Sequence, residues 1–385
     1  MNAFAAPADE SAISEAVRDA SAQNIRLRLV AGGTRSTIGK PLKDVRSLDL
    51  AANAGITRYE PGALTIEARA GTPIREIEAA LAAENQMLPF EPVDHRALLG
   101  GTGEPTVGGV VACNISGPRR FLSGACRDFL LGVRLVDGRG RILKNGGRVM
   151  KNVTGLDLTK LSCGAYGTLG IVTEVSLKVL PRSERSVTLQ FAGVDVPQAA
   201  RLFARTITTP FEVSGASWMN GIANLRVEGL GMQVDYRLSK LRALFPDYAS
   251  SVLEGDAHHS LWAAVRDVHV FAGGADSVWR VSVKPTDAPK LVAELKTRLS
   301  ARAMLDQGGA VVWLAVPSDS PDQAVIVRGA IPGGQGYATL VRGNDALRLS
   351  VPAFQPQHPR LEQISEGLRR QFDPQQILNP GLMAA

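Results

Sequence analysis

Several simple explanations are removed by what this 385-residue sequence has little of. Only three residues are cysteines, Cys113, Cys126 and Cys163. Their number is odd and no CxxC spacing occurs, so neither a disulfide framework nor a cysteine-ligated iron–sulfur cluster has its ligands. Buried free thiols are expected, and no metal site. Aromatic side chains make up 5% of the chain, too few for a base-stacking platform. The 43 basic and 37 acidic side chains leave a formal charge of +6 with no dense Lys/Arg run, which argues against nucleic acid as a partner. No window offers the roughly 18 uninterrupted apolar residues of a transmembrane segment. The opening MNAFAAPADESAISEAV has no basic n-region and no sustained apolar stretch, so a cytoplasmic protein is expected.

What is present suits a globular chain of two or three domains, with 45% hydrophobic and 21% charged residues. Two glycine turns stand out: Ala31–Ser36, AGGTRS, and Glu104–Gly117, EPTVGGVVACNISG. Each is edged by small hydroxyl residues, and together they read as two walls of one anion-binding cleft. In the first, Gly32 and Gly33 permit positive φ, Thr34 and Ser36 add hydroxyls, and Arg35 adds charge. Alone, such a turn is more often a tight connection, and neither GxGxxG nor a P-loop is present. In the second, Gly108 and Gly109 precede a helical turn whose N-terminal amides are expected to face the anion. Asn114, Ser116 and Gly117 extend its polar edge, and Gly167–Ile171 is a third candidate wall.

The remaining pattern is α+β. Ser11–Asn24 has helical spacing with Ser11 as cap, and Ile25–Val30 alternates as a strand ending at the glycines. Thr72 is expected to cap a helix with Pro73 in its first turn, and Met87–Phe90 reads as a strand. Asp137-Gly138 marks a hairpin, and Gly164–Pro181 is a glycine turn followed by a long strand. From Ser186 onward, strands and helices suggest an antiparallel sheet with helices on one side. A terminal helix, Leu361–Phe372, leads to a turn-rich tail.

AGGTRS, EPTVGGVVACNISGPRR, RDFLLGVRLVDGRG, GGRVMKNVTGLDLTKLSCGAYGTLGIVTEV and FDPQQILNPG occur in the order of the vanillyl-alcohol oxidase type, PCMH-type FAD-binding fold. The chain resembles that family over nearly its full length, and within it the E-subunit family of bacterial glycolate oxidases. WRVSVKP at Trp279–Pro285 supports the narrower likeness. The resemblance implies a two-subdomain FAD-binding domain over 1–182, divided near 55, then a smaller antiparallel-sheet-plus-helices domain over 183–355. A helix and tail over 356–385 would return to the FAD domain. It implies that Gly32, Gly33, Thr34, Arg35 and Ser36 hold the pyrophosphate. Thr106, Gly108, Gly109, Ser116 and Gly117 would line the ribityl and isoalloxazine side, Ile171 would meet the adenine, and Asn114 and Gly170 are further cofactor-binding candidates. Asn379 would close the domain from the tail, unless it is a plain Asn-Pro turn.

Two departures from the family pattern shape the functional expectation. Covalently flavinylated relatives carry a histidine in the first loop, where this chain has Thr34 and Arg35, so the FAD is expected to be noncovalent. The larger catalytic relatives carry an HxxGDGNxH-like metal segment, and none occurs here. The resemblance therefore implies a subunit of a complex that oxidises glycolate and related 2-hydroxy acids to 2-oxo acids. Electrons would pass to a larger FAD-containing catalytic subunit and an iron–sulfur subunit, and those partners would be what gathers the chain at the inner face of the membrane. A stand-alone FAD-dependent dehydrogenase and a noncatalytic assembly subunit with structural FAD are the alternatives. No catalytic base is identified, since His95, His258, His259, His269 and His358 read as structural or surface residues. Arg280 can clamp a substrate carboxylate, although an arginine on a strand's solvent face is commoner. Lys151 and Asn152 lie where the family places a segment against the flavin edge, or form a polar turn.

Overall fold

The computed structural model describes residues 6–148, 155–317 and 320–383. The N-terminal part begins with helix α1 (Glu10–Ala22), whose cap is Asp9 rather than Ser11: the Asp9 carboxylate accepts from Ala12 N at 2.9 Å. The helix packs on β1 (Leu27–Val30) and β2 (Arg46–Asp49), a parallel pair. Its apolar stripe of Ile13, Val17 and Ala20 meets Leu27 and Leu48, which share a face because strand side chains alternate.

A five-stranded antiparallel sheet follows, built from β3 (Ile56–Glu60) and β4 (Thr65–Arg69), then three later strands. Helix α2 (Ile74–Ala83) covers it with Ile74, Ile77 and Leu81. Pro73, not Thr72, occupies the cap position. The Thr72 hydroxyl is taken by the preceding turn, accepting from Gly55 N at 2.8 Å and donating to Arg69 O at 2.6 Å. Strand β5 is only Gln86–Met87, because the chain turns at once and sinks Leu88 and Phe90 into the core. Short helices α3 (Arg96–Leu99), α4 (Val107–Ala112), α5 (Arg120–Ser123) and α6 (Cys126–Phe129) precede β6 (Leu130–Val136) and β7 (Ile142–Gly146). Helix α7 (Leu158–Ser162), β8 (Ile171–Lys178) and β9 (Leu180–Pro181) complete this part. The sheet order is β3-β4-β8-β6-β7, and β9 pairs with β5.

The second part is an eight-stranded antiparallel sheet. Its elements in chain order are β10 (Arg185–Ala192), α8 (Val196–Ile207), β11 (Val213–Met219), β12 (Ile222–Gly229), α9 (Gly231–Leu244), β13 (Ser250–Leu253) and α10 (Gly255–Arg266). There follow β14 (Ser277–Ser282), α11 (Ala288–Leu299), β15 (Arg302–Asp306), β16 (Val311–Val316), α12 (Asp322–Gly329), β17 (Tyr337–Arg342) and α13 (Asp345–Ser350). The spatial order is β13-β10-β12-β11-β15-β16-β14-β17. Strict alternation sorts the side chains. Val187, Leu225, Trp279, Leu314 and Leu340 point into one core shared with α8, α9 and α11. The interleaved residues, among them Thr188, Arg226, Arg280, Asp306 and Thr339, lie on the opposite face, which turns toward the glycine-loop part. Where that face is apolar, at Val278, Met304 and Trp313, α10 and Leu98 cover it.

Helix α14 (Pro359–Phe372) leads the tail back to the first part. Leu27 N donates to Ile377 O at 2.7 Å and Asn379 N to Leu27 O at 2.9 Å, so the tail lies beside β1 as a third parallel segment. Among the described residues, no helix is long and apolar enough to cross a membrane.

Candidate functional site

The two glycine loops touch through their backbones. A Cβ on Gly32 would fall 1.6 Å from the Glu104 carbonyl oxygen, and one on Gly103 would fall 1.8 Å from the Gly32 oxygen. Only glycine allows that approach. Beside the contact opens a cavity of about 930 Å³, counting its mouth to solvent.

The first loop supplies the anion-binding character. Ser36 N and its hydroxyl both donate to Gly33 O, at 3.2 and 3.0 Å, which curls the loop. Among the described residues, the N–H groups of Gly32, Gly33, Thr34 and Arg35 have no hydrogen-bond partner. Four successive free amides at a cavity wall make a nest for an anion. Two arginines flank them. Arg28, on β1, donates to Ser36 O at 2.9 Å and Ile38 O at 3.2 Å. Arg35 donates from Nε to His95 Nδ1 at 3.1 Å and from Nη2 to Val93 O at 2.9 Å. Its Nη1 is left facing the cavity near Gly109. Neither arginine has a carboxylate partner among the described residues, and burial lowers the basicity of both. Burial, then the Arg35 charge, holds His95 well below the usual histidine range, so it stays neutral.

The second loop behaves differently from its expectation. The N-terminal amides of α4 are already used: Val107 N donates to Thr72 O at 2.9 Å, Gly108 N to Ala70 O at 2.8 Å, and Gly109 N to the Thr106 hydroxyl at 3.4 Å. The first two bonds fasten α4 to the turn after β4 and the third is the helix's own cap, so the helix start has no amides left for an anion. The two glycines also differ. A Cβ on Gly108 would meet Ala70 at 2.6 Å, whereas one on Gly109 would meet nothing closer than the Thr106 hydroxyl at 3.4 Å. Gly108 permits close packing, and Gly109 keeps the cavity open.

The cavity brings together Gly32, Gly33, Thr34, Arg35, Ser36, Thr106, Gly108, Gly109, Gly170, Ile171 and Asn379. Asn379 spends its side chain on the fold, accepting from Leu29 N at 2.8 Å and donating to Tyr166 O at 2.8 Å. The Ile171 side chain packs among Ile13, Leu27 and Val136. Asn114, Ser116 and Gly117 lie outside the lining. Asn114 Oδ1 accepts from Arg127 N, the Ser116 hydroxyl accepts from Cys126 N, and Gly117 O accepts from Gln307. These residues tie their loop to α6 and to the second sheet. Lys151 and Asn152 lie outside the described residues. Sequence reasoning missed Arg28, Tyr166 and Cys113 in the wall. Arg28 was legible as an alternate residue of the strand entering the loop; Tyr166 and Cys113 carried no signal. Burial raises the Cys113 thiol to about 11 and pushes the Tyr166 phenol up as well.

A second polar centre joins the two parts. Arg226, only 2% exposed, donates in a fork to Glu91 at 2.8 and 2.8 Å, and its Nε donates to Ser214 Oγ at 3.0 Å. Its guanidinium sits 4.5 Å from the Trp262 ring centre. Arg119 donates to Glu228 at 3.0 and 2.8 Å and reaches Glu91 at 3.2 Å. The two arginines hold both carboxyls below the usual range despite burial.

The glycolate oxidase subunit GlcE of Escherichia coli (strain K12) is 34% identical to this chain over 376 residues, 97% of each. The chain belongs to the GlcE family. A family model described as an FAD binding domain matches residues 1–146 of this GlcE-family chain. The glycolate oxidase subunit GlcD of Bacillus subtilis (strain 168) is 40% identical over 96 residues, 25% of this chain and 20% of that one. A solved alkyldihydroxyacetonephosphate synthase superposes with a TM-score of 0.70 over 97% of this chain and 76% of its own, at 14% identity, a likeness of fold alone. The GlcE-family chain is thus an α+β flavoprotein of an FAD-dependent oxidoreductase family.

Proposed function

We propose that this chain is the FAD-carrying E-type subunit of a glycolate oxidase, acting on glycolate and related 2-hydroxy acids within a multi-subunit complex. The observation that carries the reading is the run of free amides from Gly32 to Arg35 between Arg28 and Arg35. That arrangement suits the two charges of a pyrophosphate, bound by backbone donors and charge-assisted hydrogen bonds. Thr106 and Gly109 would border the ribityl chain, and Gly170 and Ile171 the adenine. The first loop has no histidine, which supports noncovalent FAD.

Bound FAD supplies a two-electron acceptor for the hydrogen on the substrate's carbinol carbon. The chain's own residues bind and orient it: the nest and Arg35 fix the phosphates, Gly109 leaves room, and Asn379 secures Tyr166 against the wall. A companion flavin subunit of GlcD type and an iron–sulfur subunit would take the electrons onward. The relatives' names as oxidase subunits support the assembly, and those partners would bring the chain to the inner face of the membrane.

The test is to purify the full chain, record its flavin absorbance, and precipitate it with acid. Yellow protein that releases its flavin into the supernatant is expected. A colourless chain that cannot be reconstituted with FAD would overturn the reading. Anaerobic glycolate should bleach the flavin once the companion subunits are added.

A further inference from the structure

Residues 91–96, which run from the core at Phe90 into α3, meet Arg226, Arg96 and Arg35, and treat them in two ways. Glu91 takes Arg226 in a fork at 2.8 and 2.8 Å. The Asp94 carboxylate takes Arg96, accepting from Nη2 at 2.7 Å and from Nε at 2.9 Å. Arg35 receives no carboxylate there: its Nε donates to His95 Nδ1 at 3.1 Å and its Nη2 to Val93 O at 2.9 Å. A guanidinium only donates, so the imidazole nitrogen that accepts from it carries no proton. His95, 4% exposed, is therefore neutral and holds its proton on Nε2.

The choice of acceptor has an electrostatic consequence. A carboxylate in place of His95 would orient the guanidinium and also cancel its charge. A carbonyl and a neutral imidazole orient it and leave the charge for an incoming anion. Two of the Arg35 nitrogens are thereby fixed. The third, Nη1, has no partner among the described residues and lies beside the cavity-lining Gly109, where a Cβ would meet it at 3.7 Å. The segment is seated from its other side by the second part of the chain: Glu91 holds Arg226 of β12, and Asp94 N donates to Asp267 Oδ1, at the end of α10, at 2.8 Å. The acceptors that aim Arg35 are thus held in place from behind.

We propose that His95 is a positioning residue for the cofactor, a neutral acceptor that aims Arg35 at the pyrophosphate of FAD without cancelling its charge. The inference rests on the flavin reading for the identity of the anion. It requires the acceptor at this position to be uncharged, which a purely structural histidine does not.

The test uses the full chain freed of flavin, titrated by calorimetry with FAD and with riboflavin, which lacks the phosphates. Asparagine places a neutral oxygen acceptor close to the position of Nδ1, and aspartate, of nearly the same volume, places a charged one there. His95→Asn should bind FAD within about twofold of wild type, whereas His95→Asp should lose roughly tenfold and His95→Leu about fivefold. Riboflavin affinity should be unchanged in every variant. The flavin-free His95→Asp chain should unfold no earlier than His95→Asn, since its carboxylate completes Arg35, so its weaker FAD complex does not come from a weaker fold. In an Arg35→Met chain, His95→Leu should weaken FAD by no more than about twofold. Equal FAD affinity in the Asn and Asp variants, or a loss shared by riboflavin, would overturn the positioning role, and that comparison stands even if His95→Leu does not fold. A wild-type chain that binds neither FAD nor riboflavin would sink the flavin reading, and this inference with it.

Discussion

Arg226 and Arg280 occupy the same face of one sheet, yet their surroundings are opposite. Arg226 is met by Glu91, Ser214 and the Trp262 ring, whereas among the described residues Arg280 hydrogen-bonds one serine hydroxyl. A completed buried charge joins the two parts of the fold; Arg280 has no such completion among the described residues. The glycine loops repeat the contrast. The amides of α4 are bonded to neighbouring oxygens and hold the fold, while those of Gly32–Arg35, residues that line the cavity, have no partner among the described residues.

The largest expected effect tests the arginines directly. Arg226→Met leaves Glu91 and Glu228 buried with half their counter-charge, and should destabilise the chain by roughly 3–5 kcal/mol. Arg280→Met removes an unmatched cation and should change stability by less than about 1 kcal/mol. Thermal unfolding of the two variants decides the matter: equal losses would erase the distinction.

The glycines sharpen it further. Gly108→Val drives a side chain into Ala70 and should cost about 1–3 kcal/mol through overpacking. Gly109→Val should keep its unfolding midpoint but lose most of its flavin, read as the absorbance ratio of flavin to protein. Full flavin retention in Gly109→Val would mean that the cofactor lies elsewhere.

The smallest effect is a pH dependence confined to the seam between the two parts. His258 is bonded to Ser186 and Thr188 at 2.8 and 2.8 Å. Burial and then the Arg226 charge lower its pKa to about 4. The unfolded chain takes up that proton below about 6.5, but the folded chain does not until near 4. Its contribution to stability is therefore complete above about 6.5 and declines as pH falls through the window. Glu228, held below its usual range, adds loss only at more acidic pH. Between pH of about 7 and about 5, His258→Asn should remove this acid-side loss from the denaturant midpoint, while Asp306, raised to about 7 by burial, acts with the opposite sign in both chains.

Much of the fold was legible because its signals are local. The strand entering AGGTRS, the amphipathic helix after Pro73 and the alternating strand at Trp279 all follow from periodicity. Errors arose where a side chain had a competing partner: Thr72 was drawn into a turn, and Asp9 reached α1 before Ser11 could cap it. Asn114, Ser116 and Gly117 shared a glycine-rich segment with true cavity residues, but their bonds lead to α6 and the second sheet. Asn379 was ambiguous in sequence because an Asn-Pro turn looks the same whether or not its amide reaches a strand 350 residues away.

Residues near one another in the chain were enough to settle the family, the two glycine loops and the alternation that makes one sheet face polar. Which donors stay free and which arginines lack a carboxylate among the described residues were matters for the folded chain alone. Those outcomes depend on partners such as Glu91 and Arg226, 135 residues apart, brought together only when the two parts pack.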